Sequence, residues 1–297
     1  MDITQENIEL AFRGFKKTFE NAFGDVKSHR DTLAMTVNST TSEENYAWMG
    51  EFPEMREWLG VRVIKTLQNH GFKIVNKDFE STVRVKRNSF EDDNLGVYTP
   101  MVKEIARMSK QHPDKMLFNL LSDGIAKNCY DGRPFFSEYH PRSGQVGDEA
   151  EPISNLQPGA QPMWYLMDLS RQIRPLVWQE RKPYNFGALT DEKNEHVYMA
   201  NEFLFGVHAR VNAGFGLWQL AYASGAELNA ANYEMARQAM MRFRGDQNHL
   251  LGIMPTHLVV PAELEGQARQ LITASVIANN SNIWQGTAEL IVTPWLS

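Results

Sequence analysis

Three residues of one loop, Asp131, Ser137 and His140, are of the types that perform hydrolysis when a fold brings them together. In such a triad the serine is the nucleophile, the histidine takes its proton, and the carboxylate orients the histidine. The sequence around Ser137 lacks the Gly-x-Ser-x-Gly elbow that presents many serine nucleophiles. These residues therefore support an α/β hydrolase only as an alternative, and its test is whether their side chains converge in a pocket.

The other residues that could do chemistry are scattered. None of the eight histidines has another histidine at the i, i+2 or i, i+4 spacing of metal sites, and no phosphate-binding loop or dinucleotide fingerprint occurs. Cys129 is typical of a small buried side chain rather than a nucleophile. The acidic stretch 90–96 is too short for a calcium-binding EF-hand loop and does not match its ligand spacing. The sequence therefore predicts no catalytic residue, no metal and no cofactor.

Composition is that of an ordinary globular protein. The 297 residues are 42% hydrophobic and 22% charged, so the chain is long enough to bury a sizeable core. A net charge of -6 argues against a dedicated nucleic-acid reader. The single cysteine excludes an intrachain disulfide framework, and neither a signal peptide nor an apolar run of about 20 residues is found. We expect a soluble product of a reducing, cytosolic compartment.

The first elements to position are at the N-terminus, where an aromatic stripe predicts an amphipathic helix over residues 5–23. The stripe recurs at steps of three and four residues, and its members are Ile8, Phe12, Phe15, Phe19 and Phe23. A stripe docked on protein is favoured over a membrane-surface helix, because the basic set is short and two glutamates accompany it. A polar linker at 38–45 follows. A helix on such a tether can cover a neighbouring copy as easily as its own.

Residues 46–98 predict a β-ribbon that has too few apolar side chains for a core of its own. Short alternating stretches end in a turn near Gly71, and a ribbon of two or three strands is only marginally stable alone in water. A neighbouring copy is the natural partner for its apolar side. We therefore predict that the arm and ribbon contact other subunits through Phe12, Phe15, Phe19, Trp48, Phe52, Trp58, Phe72, Ile74, Val83 and Val85.

An acidic turn and a long helix come next. Thr99 and Pro100 are typical of an N-cap and a first helical residue, and the apolar pattern continues to Asn128. Pro113 lies inside it and predicts either a kink or two consecutive helices. The turn before the helix predicts a hinge, and its residues are Asp92, Asp93, Asn94 and Gly96.

The rest of the chain predicts structural elements without catalytic residues. Strands are predicted at 164–167, 175–178, 197–199 and 203–207, and the pair Gly214 and Gly216 indicates close approach of two backbones. From Leu228 to Ala278 a helix, a buried strand at 258–260 and a second helix predict a compact α/β layer without catalytic residues.

Several segments carry a resemblance to a known family, and they follow one another in order from near residue 30 to the C-terminus. They are Tyr46–Pro53, Phe90–Tyr98, Cys129–Gly132, Asn201–Gly206 and Pro255–Pro261. The sequence resembles the Mu-type phage major head subunit (T protein) family, whose members resemble HK97-like capsid proteins. This resemblance implies an α+β, HK97-like capsid fold. It also implies hexamers and pentamers that close into an icosahedral head around double-stranded DNA.

The resemblance also implies a division into parts. These are an N-terminal arm (1–45), an extended loop (46–98), a peripheral domain (99–225) with a spine helix (99–128), an axial domain (226–290) and a C-terminal strand or tail (291–297). One feature departs from the common arrangement, in which strands of the peripheral domain return after the axial domain. Here residues 203–212 predict a strand before the axial domain, and only 288–295 remain to return afterwards. Either the tail strand is short or the peripheral sheet is threaded differently.

The partners follow from the same resemblance. They are other copies of the chain, packaged double-stranded DNA held non-specifically, a scaffold, a portal and decoration proteins, with no membrane. The protein would be located in the virion, after assembly in the host cytoplasm. A negative subunit suits such a container, because each basic contact with phosphate adds salt-dependent affinity. A non-viral, encapsulin-like shell shares the fold and stays open as an alternative, beside the hydrolase.

Overall fold

The computed structural model describes residues 4–46, 72–92, 95–141, 152–191, 193–245, 249–277 and 280–296. Its helices are α1 (Gln5–Asp25), α2 (Arg30–Leu33), α3 (Arg87–Glu91), α4 (Thr99–Ser122), α5 (Glu195–Ala200), α6 (Ala230–Met241) and α7 (Glu265–Ile272). Its strands are β1 (Ala34–Asn38), β2 (Glu43–Asn45), β3 (Lys73–Val75), β4 (Lys77–Lys86), β5 (Leu156–Gln157), β6 (Trp164–Met167), β7 (Leu176–Leu189), β8 (Glu202–Phe215), β9 (Ala221–Ser224), β10 (His257–Pro261), β11 (Val276–Ile277), β12 (Asn280–Ser281) and β13 (Glu289–Thr293).

A four-stranded sheet in the order β1-β7-β8-β4 dominates one half of the described chain. β7 and β8 form a long antiparallel hairpin with an irregular register between Glu180 and Asn185, and β1 adds to it in parallel. β4 pairs with β8 along its whole length. One face of this sheet is apolar, because alternate side chains of β4 and β8 are buried there.

Helices α1 and α4 cover that apolar face and pack against each other. α1 begins at the N-cap Thr4, whose side chain accepts a hydrogen bond from the Asn7 amide. α4 runs through Pro113 without interruption, so the expectation of two consecutive helices is wrong. α4 begins at Thr99 after the cap residue Tyr98, and a 3-10 turn at Asp123–Ile125 ends the helical region before Asn128. The predicted spine helix therefore exists in a slightly shorter form.

A second, five-stranded sheet in the order β13-β10-β6-β9-β5 organises the other half. The predicted buried strand at 258–260 is confirmed as β10, which is flanked by β6 and β13. α6 begins at Asn229, whose side chain accepts from the Asn232 amide, as the capping pattern predicts. A large core joins this sheet with the C-terminal half of α4. Here α6 and α7 are the helices of the predicted α/β layer.

The second sheet spans more than one of the segments into which the resemblance divides the chain. β10 lies in the segment 226–290, whereas β6 lies outside it and β13 crosses its end. The boundaries therefore cut through one sheet, because a sheet is held by hydrogen bonds between strands far apart in sequence. The tail strand β13 is five residues long and pairs with β10 and not with the four-stranded sheet.

Residues 197–199 are a second correction. They were predicted to be a strand, and they lie in helix α5. The Asn194 side chain caps this helix by accepting from the His196 amide, and Asn201 ends it in the left-handed region at φ 52°. An asparagine at each end of a six-residue helix is the capping signal that the apolar pattern concealed.

Close approach at Gly216 gives a testable prediction. A Cβ added there would lie 2.3 Å from the Arg174 carbonyl oxygen, which belongs to backbone that cannot turn aside. We expect Gly216→Ala to lower the free energy of unfolding by about 2–4 kcal/mol. The control is Gly14→Ala on α1, where nothing lies within 4 Å and a helical alanine should stabilise by about 0.5–1 kcal/mol. Chemical denaturation of both variants measures the difference, and equal unfolding midpoints would contradict it.

Candidate assembly surfaces and the buried Asp131–His140 cluster

Asp131 and His140 meet, but they do not form a catalytic triad with Ser137. His140 Nδ1 lies 2.7 Å from Asp131 Oδ2, while His140 Nε2 lies 3.1 Å from Asn155 Oδ1. The Ser137 hydroxyl accepts a hydrogen bond from the Tyr139 amide at 3.1 Å. The histidine nitrogen that would have to take the serine proton is therefore occupied by Asn155.

Asn155 is the centre of the hydrogen bonds in this cluster. Its amide nitrogen donates to the carbonyl oxygens of three residues, which are Phe135, Trp218 and Ala221. Its Oδ1 also accepts from the Ser137 amide and lies 3.1 Å from His140 Nε2, so the orientation of the side chain is set by its partners. His140 is completely buried and stacks on Trp218 at 3.9 Å between ring centroids. This arrangement locks a loop in place and leaves no face of the imidazole for a substrate.

Cys129 and Asp131 complete the same buried cluster. Burial works to raise the pKa of Asp131, but the hydrogen bond from His140 and that from the Arg133 amide outweigh it and hold the pKa below its ordinary value. Burial raises the pKa of the Cys129 thiol far above its usual range, and the thiol donates to Asp131 Oδ1 at 3.2 Å. Cys129, Asp131 and His140 offer ligand atoms within 4.8 Å of one another. Each of these atoms is engaged in a protein hydrogen bond, so the cluster is a structural one.

The aromatic stripe of α1 is part of the subunit's own core. Phe15 packs edge-on against Phe205 at 5.1 Å, and Phe19 stacks on Phe186 at 5.0 Å. Phe15 is 6% exposed and Phe19 is 4% exposed. The chain's own sheet covers these two side chains in the single subunit, and their contact with a neighbouring copy stays a prediction. Phe12 is half-buried, and its contact with a neighbour stays a prediction.

Three of the predicted contact residues of the ribbon are also buried within the chain. Val83 and Val85 lie in β4 and point into the core beneath α1 and α4, and Ile74 of β3 is buried beside Gly214. Their predicted contact with another subunit stays a prediction. Phe72 is half-buried, and its contact with a neighbouring subunit stays a prediction. Trp48, Phe52 and Trp58 lie outside the described residues.

Tyr46 and Phe72, which flank residues 47–71, are hydrogen-bonded to each other and held by a buried network. β2 and β3 pair antiparallel, and the Tyr46 amide donates to the Phe72 carbonyl at 2.9 Å. The Tyr46 hydroxyl donates to Oε1 of the fully buried Gln179 at 2.8 Å. Gln179 Nε2 in turn donates to the Ile74 carbonyl and to Asn76 Oδ1. Burial raises the pKa of Tyr46, so its phenol remains a donor. This buried network ties the base of the loop to β7.

The predicted hinge lies between two fixed points. Phe90 of α3 is 1% exposed and packs against Phe203 at 4.9 Å, and α4 begins at Thr99. Between them Asp92 and Gly96 are exposed, and nothing lies within 4 Å of a Cβ built on Gly96. Asp93 and Asn94 lie outside the part of the chain that the structure describes.

Two exposed apolar sites were not predicted from the sequence. Tyr198 and Met199 of α5 are 79% and 76% exposed at the end of the β7–β8 hairpin, and Ile283 is 77% exposed after the β11–β12 hairpin. Large apolar side chains left in water at the ends of hairpins are suited to contact with another protein. The described helices include none that is long and apolar enough to cross a membrane.

The fold defines the class of protein. The subunit in "Procapsid of bacteriophage JBD30 computed in I4 symmetry" superimposes with a TM-score of 0.86 and is 41% identical, covering 99% of this chain and 100% of that one. "Capsid of bacteriophage JBD30 decorated with minor capsid protein trimers computed in I4 symmetry" gives 0.75 and 30% identity over 92% of each chain. The chain therefore has the HK97-like fold of a phage capsid subunit.

The sequence comparisons name the family. The major capsid protein of Escherichia phage Mu is 38% identical over 305 residues, with complete coverage of both chains. The family "Mu-like prophage major head subunit gpT" matches residues 8–296, and the chain belongs to it. The chain is thus a structural subunit of the virion that assembles with copies of itself into a capsid, and the hydrolase and encapsulin-like alternatives are not supported.

Proposed function

We propose that copies of this chain form hexamers and pentamers that close into an icosahedral head around double-stranded DNA, and that residues 46–98 reach from each subunit onto a neighbour. The observation that carries the proposal is the anchored base of the loop. A buried hydrogen-bond network holds Tyr46 and Asn76 against Gln179. A segment that starts and ends at one rigid point can extend from the body of the subunit without loosening its core.

The turn at 92–96 would supply the adjustment that quasi-equivalent positions require. A shell of identical subunits needs small angular differences between contacts, and such differences are absorbed by a few residues between rigid elements. Asp92 and Gly96 are exposed between the buried Phe90 and helix α4. Asp93 and Asn94 complete this proposed hinge by sequence alone.

The remaining partners are proposed from charge and from the relatives. A net charge of -6 favours DNA held without tight binding of its phosphates. One related capsid is described as decorated with minor capsid protein trimers, and a decoration protein is proposed for this head as well. A scaffold and a portal are proposed because a closed shell has to be shaped during assembly and filled with DNA.

The test uses the two loop tryptophans. Trp48→Ala and Trp58→Ala are expected to leave a folded subunit and to reduce the yield of closed heads at least about tenfold, because aromatic anchors dominate many interfaces. Electron microscopy of particles from host cells that carry all the head genes measures the yield, and circular dichroism of the purified subunit controls for folding. Intact heads at the normal yield from both variants would contradict the proposed role of the loop.

A further inference from the structure

The outer edge of the four-stranded sheet is an open strand whose charges complement those of a second copy of itself. In the described part of the chain β4 has one strand neighbour, β8. An unpaired strand edge is a template for another strand, so its sequence shows whether pairing is discouraged or directed.

Backbone geometry decides which groups face that edge. The β4–β8 register runs without a shift from Lys77↔Val211 to Lys86↔Glu202, and the Arg87 amide continues the ladder by donating to Asn201. Hydrogen-bonding groups alternate sides along a strand, so the odd-numbered residues bond to β8. The even-numbered residues turn their N–H and C=O groups to the open edge.

The same even-numbered residues carry four of the five charges of β4, and the fifth belongs to Lys77 at its start. Their side chains lie on the sheet face opposite the buried valines and are exposed. Their order along the strand is Asp78, Glu80, Thr82, Arg84 and Lys86, with acids before the threonine and bases after it. Glu80, Arg84 and Lys86 form no ion pair within the described chain, and Asp78 lies 3.8 Å from Arg210 while remaining 82% exposed. A strand that only resisted pairing would need one sign of charge. Along the even-numbered positions of β4 the two acidic residues instead precede Thr82 and the two basic residues follow it.

We propose that β4 pairs antiparallel with β4 of a second copy across a two-fold axis at Thr82. In that register Glu80 of each copy faces Arg84 of the other, and Asp78 faces Lys86, so each of these four charges meets an opposite one directly across the ladder. A parallel, in-register pair would place like charges together. The pairing would join two four-stranded sheets into one sheet of eight strands between subunits.

This inference rests on the proposed assembly into heads and names one of its contacts. A two-fold contact uses the same surface on both copies, and icosahedral shells contain two-fold axes. A second copy is the occupant favoured here, because the edge matches its own charge order rather than an unrelated strand.

A cysteine at the axis tests the contact in assembled heads. The chain has one native cysteine, and Cys129 is buried, so Thr82→Cys adds the only accessible thiol among the described residues. Directly opposed residues of a hydrogen-bonded antiparallel pair have Cα atoms about 5.5 Å apart, within the range of a disulfide. We expect oxidised Thr82→Cys heads to give a covalent dimer of two subunits. The matched control is Asn185→Cys on β7, which lies two strands from the edge and should remain monomeric.

Charge reversal distinguishes self-pairing from proximity. In the Thr82→Cys background, Glu80→Arg or Arg84→Glu alone places like charges across the axis and should lower the dimer fraction about tenfold. The two changes together restore opposite pairs and should return the fraction to within about twofold. The same charge variants without the cysteine give a second readout, the yield of closed heads, which should fall in each single variant and recover in the double one.

The outcomes separate this contact from the proposed function. Normal heads with no Thr82→Cys dimer, a crosslink to a different protein, or charge variants that all match the unmodified protein in yield would overturn the β4 contact and leave head formation standing. Failure of the unmodified protein to form closed heads would overturn the proposed function itself.

Discussion

Gln179→Leu is expected to lower the free energy of unfolding by about 3–5 kcal/mol and to abolish closed heads. Leucine fills a similar volume but leaves the Tyr46 hydroxyl, the Ile74 carbonyl and the Asn76 amide oxygen without the partners they have in the buried network. Each unsatisfied buried polar group costs about 1–3 kcal/mol. Calorimetry should show a fall in Tm on the order of 5–10 °C, and electron microscopy should show loss of heads, since both ends of residues 47–71 lose their anchor.

The control for this prediction is a glutamine outside the network. Gln238 is exposed on α6 and donates only to Glu234 one turn away. Gln238→Leu should change stability by less than about 0.5 kcal/mol and should leave heads intact. If Gln179→Leu matched this control in both measurements, the network would not be what holds the base of the loop.

Asn155→Leu is also expected to lower the free energy of unfolding by about 3–5 kcal/mol, because it removes a second buried hydrogen-bond network elsewhere in the subunit. Asn155 is fully buried, its amide donates to three carbonyl oxygens, and its Oδ1 accepts from the Ser137 amide and from His140. Removing it leaves the His140–Asp131 pair buried without its third partner. The free energy lost from such a network is larger than that of a single hydrogen bond. Denaturant unfolding measured by the fluorescence of the tryptophans reports the loss.

A neighbouring residue supplies the comparison for Asn155. Ser154 is half-buried, and its hydroxyl bonds only to the backbone of Leu156. Ser154→Ala should cost about 1 kcal/mol or less. An Asn155→Leu variant as stable as Ser154→Ala would mean that the loop around His140 is held by packing alone.

Much of the local structure could be predicted because it depends on residues close together in the chain. The steps of the aromatic stripe gave α1, the run at 258–260 gave β10, and Asn229 gave the start of α6. The one element predicted as the wrong type, α5, is short, and two capping asparagines outweighed its apolar residues. The family resemblance, carried by ordered segments rather than by any one motif, is confirmed by the match over residues 8–296.

Burial partners could not be predicted in the same way. The sequence shows that Phe15, Phe19, Val83 and Val85 need apolar partners, but it does not show where those partners lie. In the folded subunit Phe15 packs against Phe205 of β8 and Phe19 stacks on Phe186 of β7. The two valines point into the core beneath α1 and α4. The same limit applies to Asp131 and His140, which are close in sequence. Asn155 lies within hydrogen-bonding distance of His140 Nε2, and the sequence does not show that contact. The sequence therefore shows that the arm and ribbon carry apolar side chains, but not whether the same subunit or a neighbour buries them.

By itself the sequence determined the type of most described elements, with α5 as an exception, and the apolar face of the long helices. The tertiary structure alone decided that Phe15 and Phe19 are covered within their own subunit, that Gln179 bonds to Tyr46 and Asn76, and that β4 has one strand neighbour among the described strands. The physical reason is that propensity and periodicity act over a few residues, whereas burial and strand pairing join residues that only the folded chain brings into contact.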